Sequence, residues 1–258
     1  WSGEGVPDAT LQDPQLIESI REQFWQSAVT AQTWRRMERN AIGSNPWLRR
    51  IARLFPRQAV EALVRGGRTS EGGRLVEKSV HAGLWLPLVD AVFPDARFLH
   101  IVRDPRRSIP SIMTGWLEPS RFVTFKVPDA LEISGLKGTS HDWCFPLPVG
   151  WRHYRHADLQ SVSTFQWKAI NDTILEFFAP PERAYRCLVV RLEDLIESPG
   201  DSLRAIRRYA GIAEGDYFAA FEENLPVINK GRKRAAPVAV DETRLQDDVA
   251  ALGAKLGY

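Results

Sequence analysis

The sequence predicts an α/β fold: a parallel β-sheet flanked by helices, in three layers. Three observations carry that prediction. Residues 74–114 read as strand, helix, strand, helix with short connections, the pattern of right-handed parallel crossovers. The second of those strands runs straight into Asp104-Pro105, which turns the chain into its helix. Further on, the apolar run Cys187-Leu188-Val189-Val190 gives a third buried strand, again followed by a helix.

Taken in order, Leu11, Leu16, Ile20, Phe24, Val29 and Trp34 recur at helical spacing and mark one or two amphipathic helices. Asn45-Pro46 breaks the chain, and residues 47–64 read as helix, with Pro56 as a boundary. Residues 66–73, Gly-Gly-Arg-Thr-Ser-Glu-Gly-Gly, form a loop. Residues 74–78 are a short strand, 84–93 a helix, Pro94-Asp95-Ala96 a turn, and 97–102 a second, buried strand. The helix after Asp104-Pro105 extends to about residue 114.

Residues 115–160, rich in aromatics, Pro and Gly, are expected to be a long irregular excursion. Apolar residues Phe165, Ala169, Ile170, Ile174 and Phe177 place a helix over 162–178. A helix over 199–209 ends at Gly211, and a last short helix covers 241–252. Together these make one domain over residues 1–258.

The totals agree with a globular chain. At 258 residues, 44% hydrophobic and 26% charged, it can bury a full core and is not disordered in composition. Lys plus Arg is 34 against 32 for Asp plus Glu, a net +2, so no general nucleic-acid or membrane-surface binder is indicated. Cys144 and Cys187 are the only cysteines, too few for a disulfide scaffold or a thiolate zinc site, and both are expected as free thiols. His153 and His156 have metal-compatible spacing but no companion ligands, so no metal site is expected. No apolar run reaches the roughly 20 residues of a membrane span, and no signal pattern opens the chain. A cytoplasmic location is expected.

Two constellations carry chemistry. Arg103 closes the second strand, and Ser108 and Ser111 lie three residues apart on one face of the following helix. Ligands of open parallel sheets sit beyond the carboxyl ends of the strands. A guanidinium, two hydroxyls and a helix amino terminus suit a phosphate monoester there, although Arg103-Asp104-Pro105 also reads as a plain solvated turn. Lys78 and His81 stand at the end of the preceding strand. Lys78 suits charge on a leaving phosphate and His81 a general base, against the alternative of a structural histidine.

These motifs carry a family resemblance. Leu75-Val76-Glu77-Lys78-Ser79, Phe93-Pro94-Asp95-Ala96-Arg97-Phe98 and Val102-Arg103-Asp104-Pro105 resemble the core of the sulfotransferases that use 3′-phosphoadenosine 5′-phosphosulfate (PAPS). Val190-Arg191-Leu192-Glu193-Asp194-Leu195, with Ser198-Pro199, resembles the later strand and turn of the same fold. Thr114-Gly115-Trp116, Arg121-Phe122-Val123-Thr124, residues 148–152, Trp167 and Asn171 resemble a bacterial branch. The resemblance spans residues 74–234.

It implies the P-loop-NTPase-like sulfotransferase fold and sulfuryl transfer from PAPS to a hydroxyl, or an amine, of a small-molecule, lipid or carbohydrate acceptor. Adenosine 3′,5′-bisphosphate is the implied product, with no obligatory metal and no nucleic-acid partner. Arg103 and Ser111 would hold the 3′-phosphate, with Ser108 assisting. Lys78 would neutralise the leaving group, and His81 would act as base. Gly231, Arg232 and Lys233 form a basic loop where the family closes over the nucleotide.

Three departures stand out. The family's opening strand and Gly-Arg-Ser-Gly-Thr-type loop have no counterpart here, and the loop over residues 66–73 precedes a strand instead of following one, so the phosphosulfate loop is expected upstream of Trp1. Ser79 and Val80 separate Lys78 from His81, where many relatives have one intervening residue. Leu192 stands where many relatives carry an aromatic residue. The missing loop keeps open a second reading, a non-catalytic ligand-binding module on the same scaffold. Acceptor and oligomeric state are not legible.

Overall fold

The computed structural model describes residues 7–29, 78–118, 122–212 and 238–258. Their contacts fall into two compact units. The smaller holds residues 7–29, 78–79 and 88–94; the larger holds 80–87 and everything described from Asp95 onward.

In chain order the elements are α1 (Asp8–Leu11), α2 (Pro14–Val29), a 3-10 turn (Ala82–Leu84), α3 (Leu86–Val92), β1 (Phe98–Val102) and α4 (Pro105–Leu117). There follow β2 (Val123–Leu131), β3 (Ser140–Cys144), a second 3-10 turn (Trp151–Tyr154) and α5 (Leu159–Phe178). The chain continues through α6 (Pro181–Ala184), β4 (Cys187–Arg191), α7 (Leu192–Glu197), α8 (Pro199–Ala210) and α9 (Glu242–Lys255).

β1 and β4 pair in parallel, in register from Phe98 opposite Cys187 to Val102 opposite Arg191. Helices flank this pair, giving the α/β class expected from the sequence. The expected strand over 74–78 and the helix over 47–64 lie outside the described residues, except Lys78. β1 is less buried than its apolar sequence predicts: Val102 is buried, but Leu99 and Ile101, alternating on one side, are 41% and 49% exposed.

Local chemistry explains the helix boundaries. Pro105 occupies the first position of α4, and the Asp104 carboxylate accepts from the Arg106 backbone N–H at 2.8 Å. Asp158 caps α5 through Ser161 N–H, and Asp241 caps α9 through Arg244 N–H. Gly211 ends α8 in the left-handed region at φ +62°, as its sequence position predicts.

The excursion over 115–160 is more regular than expected. α4 runs on to Leu117, and β2 and β3 form a separate antiparallel pair. Pro128, which suggested irregular structure, falls where the register shifts between Lys126 and Leu131, a place where a missing backbone donor is tolerated. The aromatics of this segment pack on each other: Trp143 meets Trp116 edge-on at 5.2 Å and Trp151 at 5.6 Å, and all three are buried.

The core of the larger unit joins α4, the β2–β3 pair, α5 and α9, with Ile109, Met113, Val162, Leu245 and Val249 among its members. α9 is pinned to the start of α5 at both ends of one amide. Gln160 Nε2 donates to Asp241 O at 3.0 Å, and Asp241 N donates to Gln160 Oε1 at 2.9 Å. In the smaller unit, Arg21 of α2 donates to Val92 O at 2.6 Å, and Phe24 meets Phe93 edge-on.

Gly115 is fixed by close approach. A Cβ there would lie 2.2 Å from Cζ of Phe145. Gly115→Ala should therefore displace Phe145 and lower stability by about 1–3 kcal/mol, read as a fall in the thermal unfolding midpoint.

Candidate active site

A cleft of about 260 Å3 opens in the larger unit, beyond the carboxyl end of β1. Arg103, Ser108, Ser111 and Ile112 supply one wall; Phe145 and Pro146 follow β3; Gln166, Trp167, Ile170 and Asn171 come from α5. The structure thus brings together the three residues that the sequence assigns to a phosphate. Arg103 makes no ion pair with any described residue, and its neighbour Asp104 is paired with Arg106 instead. Ser108 Oγ donates to Arg103 O at 3.3 Å, and Ser111 lies one helical turn further on, exposed. A guanidinium uncommitted among the described residues and the Ser111 hydroxyl, on a 13-residue helix whose Ser108 hydroxyl already donates to Arg103 O, form a donor set suited to a dianionic oxygen group.

The opposite wall is held rigidly. Gln166 is buried, accepts from Trp116 Nε1 at 2.9 Å, and donates to Cys144 O and Pro146 O at 2.8 and 2.9 Å. Asn171 donates to Trp167 O at 2.7 Å, and its Oδ1 lies 3.0 Å from Nε2 of His100. Because an amide oxygen only accepts, His100 carries its proton on Nε2 in this pair. Gln166 and Ile170 escaped the sequence reading of the site, and Trp167 and Asn171 entered it only through resemblance. The available signal was polar residues on the buried face of an otherwise apolar helix, Ser163, Gln166 and Asn171.

The other sequence candidates fare differently. His81 precedes the first 3-10 turn, with its ring 5.7 Å from Phe125 and 6.2 Å from Trp85; its neighbour Val80 lines the cleft, but His81 does not. Lys78 is exposed in an irregular segment and belongs to the smaller unit. Gly231, Arg232 and Lys233 lie outside the described residues. Of the aromatics between Trp116 and Trp151, Phe145 alone lines the cleft; the tryptophans are core.

Cys144 and Cys187 are free thiols, each pushed up to about 11 by burial. Among the described residues, no group of three or more His, Cys, Asp or Glu is placed to hold a metal, and His156 faces Glu132 at 3.3 Å. No described helix is long and apolar enough to cross a membrane.

The sequence pattern of the sulfotransferase family matches residues 6–132, close to half of the chain and including Arg103, Ser108 and Ser111. That segment is similar to the sulfotransferase family. No curated protein matches the chain. Among solved structures, the sulfotransferase domain from the curacin biosynthetic pathway is similar at 15% identity with a TM-score of 0.39, covering 77% of this chain and 75% of that one.

Two of the chain's five histidines, His81 and His100, give it a pH signature. Burial lowers the pKa of His81 from 6.5; it does the same for His100, where the bond to Asn171 opposes it only in part. The unfolded chain therefore takes up protons first as pH falls through about 6.5, so native stability is full above that pH and declines below it. Thermal midpoints should drop between about pH 7 and about pH 5.5, and less steeply in His100→Gln, which removes one of the two titrations.

Proposed function

We propose that this chain is a PAPS-dependent sulfotransferase that transfers a sulfuryl group to an acceptor hydroxyl. The observation that carries the reading is the cleft in which the Arg103 guanidinium, without an ion pair among the described residues, stands together with Ser108 and Ser111. That donor set fits a 3′-phosphate, the group that distinguishes PAPS from other adenylates, and the family match over residues 6–132 supplies the reaction class. PAPS, when bound, supplies an activated sulfuryl group whose bond to the 5′-phosphate breaks as the acceptor oxygen bonds to sulfur.

The protein's part is positioning and charge. Arg103 and Ser111 hold the 3′-phosphate, with Ser108 beside them on the same helix face. His81 is the base that receives the acceptor proton. Its lowered pKa keeps the imidazole neutral, and so able to accept, at neutral pH. Lys78 is assigned to the leaving phosphate by sequence resemblance, as is the basic loop of Gly231, Arg232 and Lys233 to the nucleotide.

Calorimetric titration of adenosine 3′,5′-bisphosphate, with adenosine 5′-monophosphate as control, tests the reading. The bisphosphate should bind and the monophosphate should bind much more weakly; equal affinities would remove the 3′-phosphate assignment. Arg103→Ala should weaken the bisphosphate by about 1.5–3 kcal/mol, the range for a hydrogen bond to a charged group. His81→Ala should slow release of the bisphosphate from PAPS, measured across a panel of hydroxyl acceptors, while leaving nucleotide affinity unchanged. Equal turnover would exclude His81 from the mechanism.

A further inference from the structure

We infer that Glu193 and Tyr258 act as a clamp that positions Arg103 for its phosphate ligand. The inference rests on the sulfotransferase reading for the identity of that ligand, but the clamp itself is built from contacts outside the cleft. The Asp104 backbone N–H, the first donor after Arg103, donates to Glu193 Oε1 at 3.3 Å. The Tyr258 hydroxyl donates to Glu193 Oε2 at 2.7 Å. One carboxylate thus joins the end of β1, the first turn of α7 and the segment following α9, over sequence separations of 89 and 65 residues.

Tyr258 is itself held in place. Its backbone N–H donates to Gly253 O at 2.9 Å, and the Arg191 guanidinium lies 4.6 Å over its ring. Gly257, at φ +84°, makes the turn that allows this, with Arg191 Cδ 3.6 Å from where a Cβ would sit. Gly253 faces Pro105, the residue that starts α4. The Arg103–Pro105 turn is therefore supported from β4, α7 and α9 together.

The choice of partners explains why a carboxylate can stand beside an anion site. Both Glu193 oxygens accept from neutral donors, an amide and a phenol, so the carboxylate fixes the backbone of the turn without neutralising Arg103. Glu193 and Tyr258 line no part of the cleft, so they are positioning residues and touch no ligand.

Adenosine 3′,5′-bisphosphate and adenosine 5′-monophosphate affinities, with the amide proton resonance of Asp104, should be measured in wild type, Arg103→Ala, Tyr258→Phe, Glu193→Ala and Glu193→Gln. Tyr258→Phe and Glu193→Ala should shift the Asp104 resonance and weaken the bisphosphate about tenfold while sparing the monophosphate. Glu193→Gln keeps an oxygen for the Asp104 amide and should recover most of the affinity. A general loss of folding would lower both nucleotides alike and would not be rescued by Gln. Unchanged bisphosphate affinity in Tyr258→Phe and Glu193→Ala, alongside its loss in Arg103→Ala, overturns the clamp. If wild type ignores the bisphosphate, the sulfotransferase reading fails first; an unmoved Asp104 resonance in the two clamp variants would then overturn the clamp as well, and a moved one would uphold it for whatever anion Arg103 holds.

Discussion

Asp104 meets two demands at once, and the cleft depends on both being met by the same residue. Its carboxylate caps α4 and forks onto Arg106, with Nη2 of Arg106 at 2.8 Å from Oδ2. Its backbone N–H is turned the other way, toward Glu193. Burial works against ionisation of the Asp104 carboxyl, yet the bonds from Arg106 outweigh it and hold the pKa below the usual value. A charged cap fixes where the helix starts and so where Ser108 and Ser111 emerge. Because that charge is committed to Arg106, the adjacent Arg103 makes no ion pair among the described residues. An arginine paired internally would need its partner displaced before it could bind a phosphate.

The second support is the buried amide of Gln166. It uses its oxygen on one indole and its nitrogen on two carbonyls, so α4, the segment after β3 and α5 converge on a single side chain. A half-satisfied amide at 1% exposure would cost more than an apolar residue of the same size. Satisfied as it is, Gln166 specifies one arrangement of the three tryptophans and one shape for the cleft wall.

What could be read from the sequence follows from which signals are local. The strands at 98–102 and 187–191, the cap at Asp104 and the stop at Gly211 each depend on a few adjacent residues, and all stood close to their expected places. So did the Arg103, Ser108 and Ser111 grouping, because a strand end and one helix face determine it. The β2–β3 pair was missed because its Pro128 and its Gly-rich turn look like loop, and only the cross-strand pairing tolerates them. The α5 wall was mostly missed for a related reason. Gln166 looks like a solvated helix position until its three partners, 20 to 50 residues away, are in place. Exposure of Leu99 and Ile101 was equally illegible, since apolar character alone does not say which strand face finds a neighbour.

Phe145 shows where the packing carries a local cost. It alone among described non-glycine residues adopts a positive φ, +62°, a conformation about 1–2 kcal/mol unfavourable for a side chain with a Cβ. Its surroundings impose it. The neighbouring Cys144 and Pro146 carbonyls are both held by Gln166, and the Phe145 N–H donates to Phe122 O at 3.0 Å. The ring can then lie flat against Phe122 at 4.9 Å only because Gly115 offers no Cβ. Strain of this kind persists when the surrounding structure over-determines it, and it concentrates beside functional sites. Here it delivers an aromatic wall to the cleft that faces Arg103 and Ser111, a place a relaxed strand end would leave open.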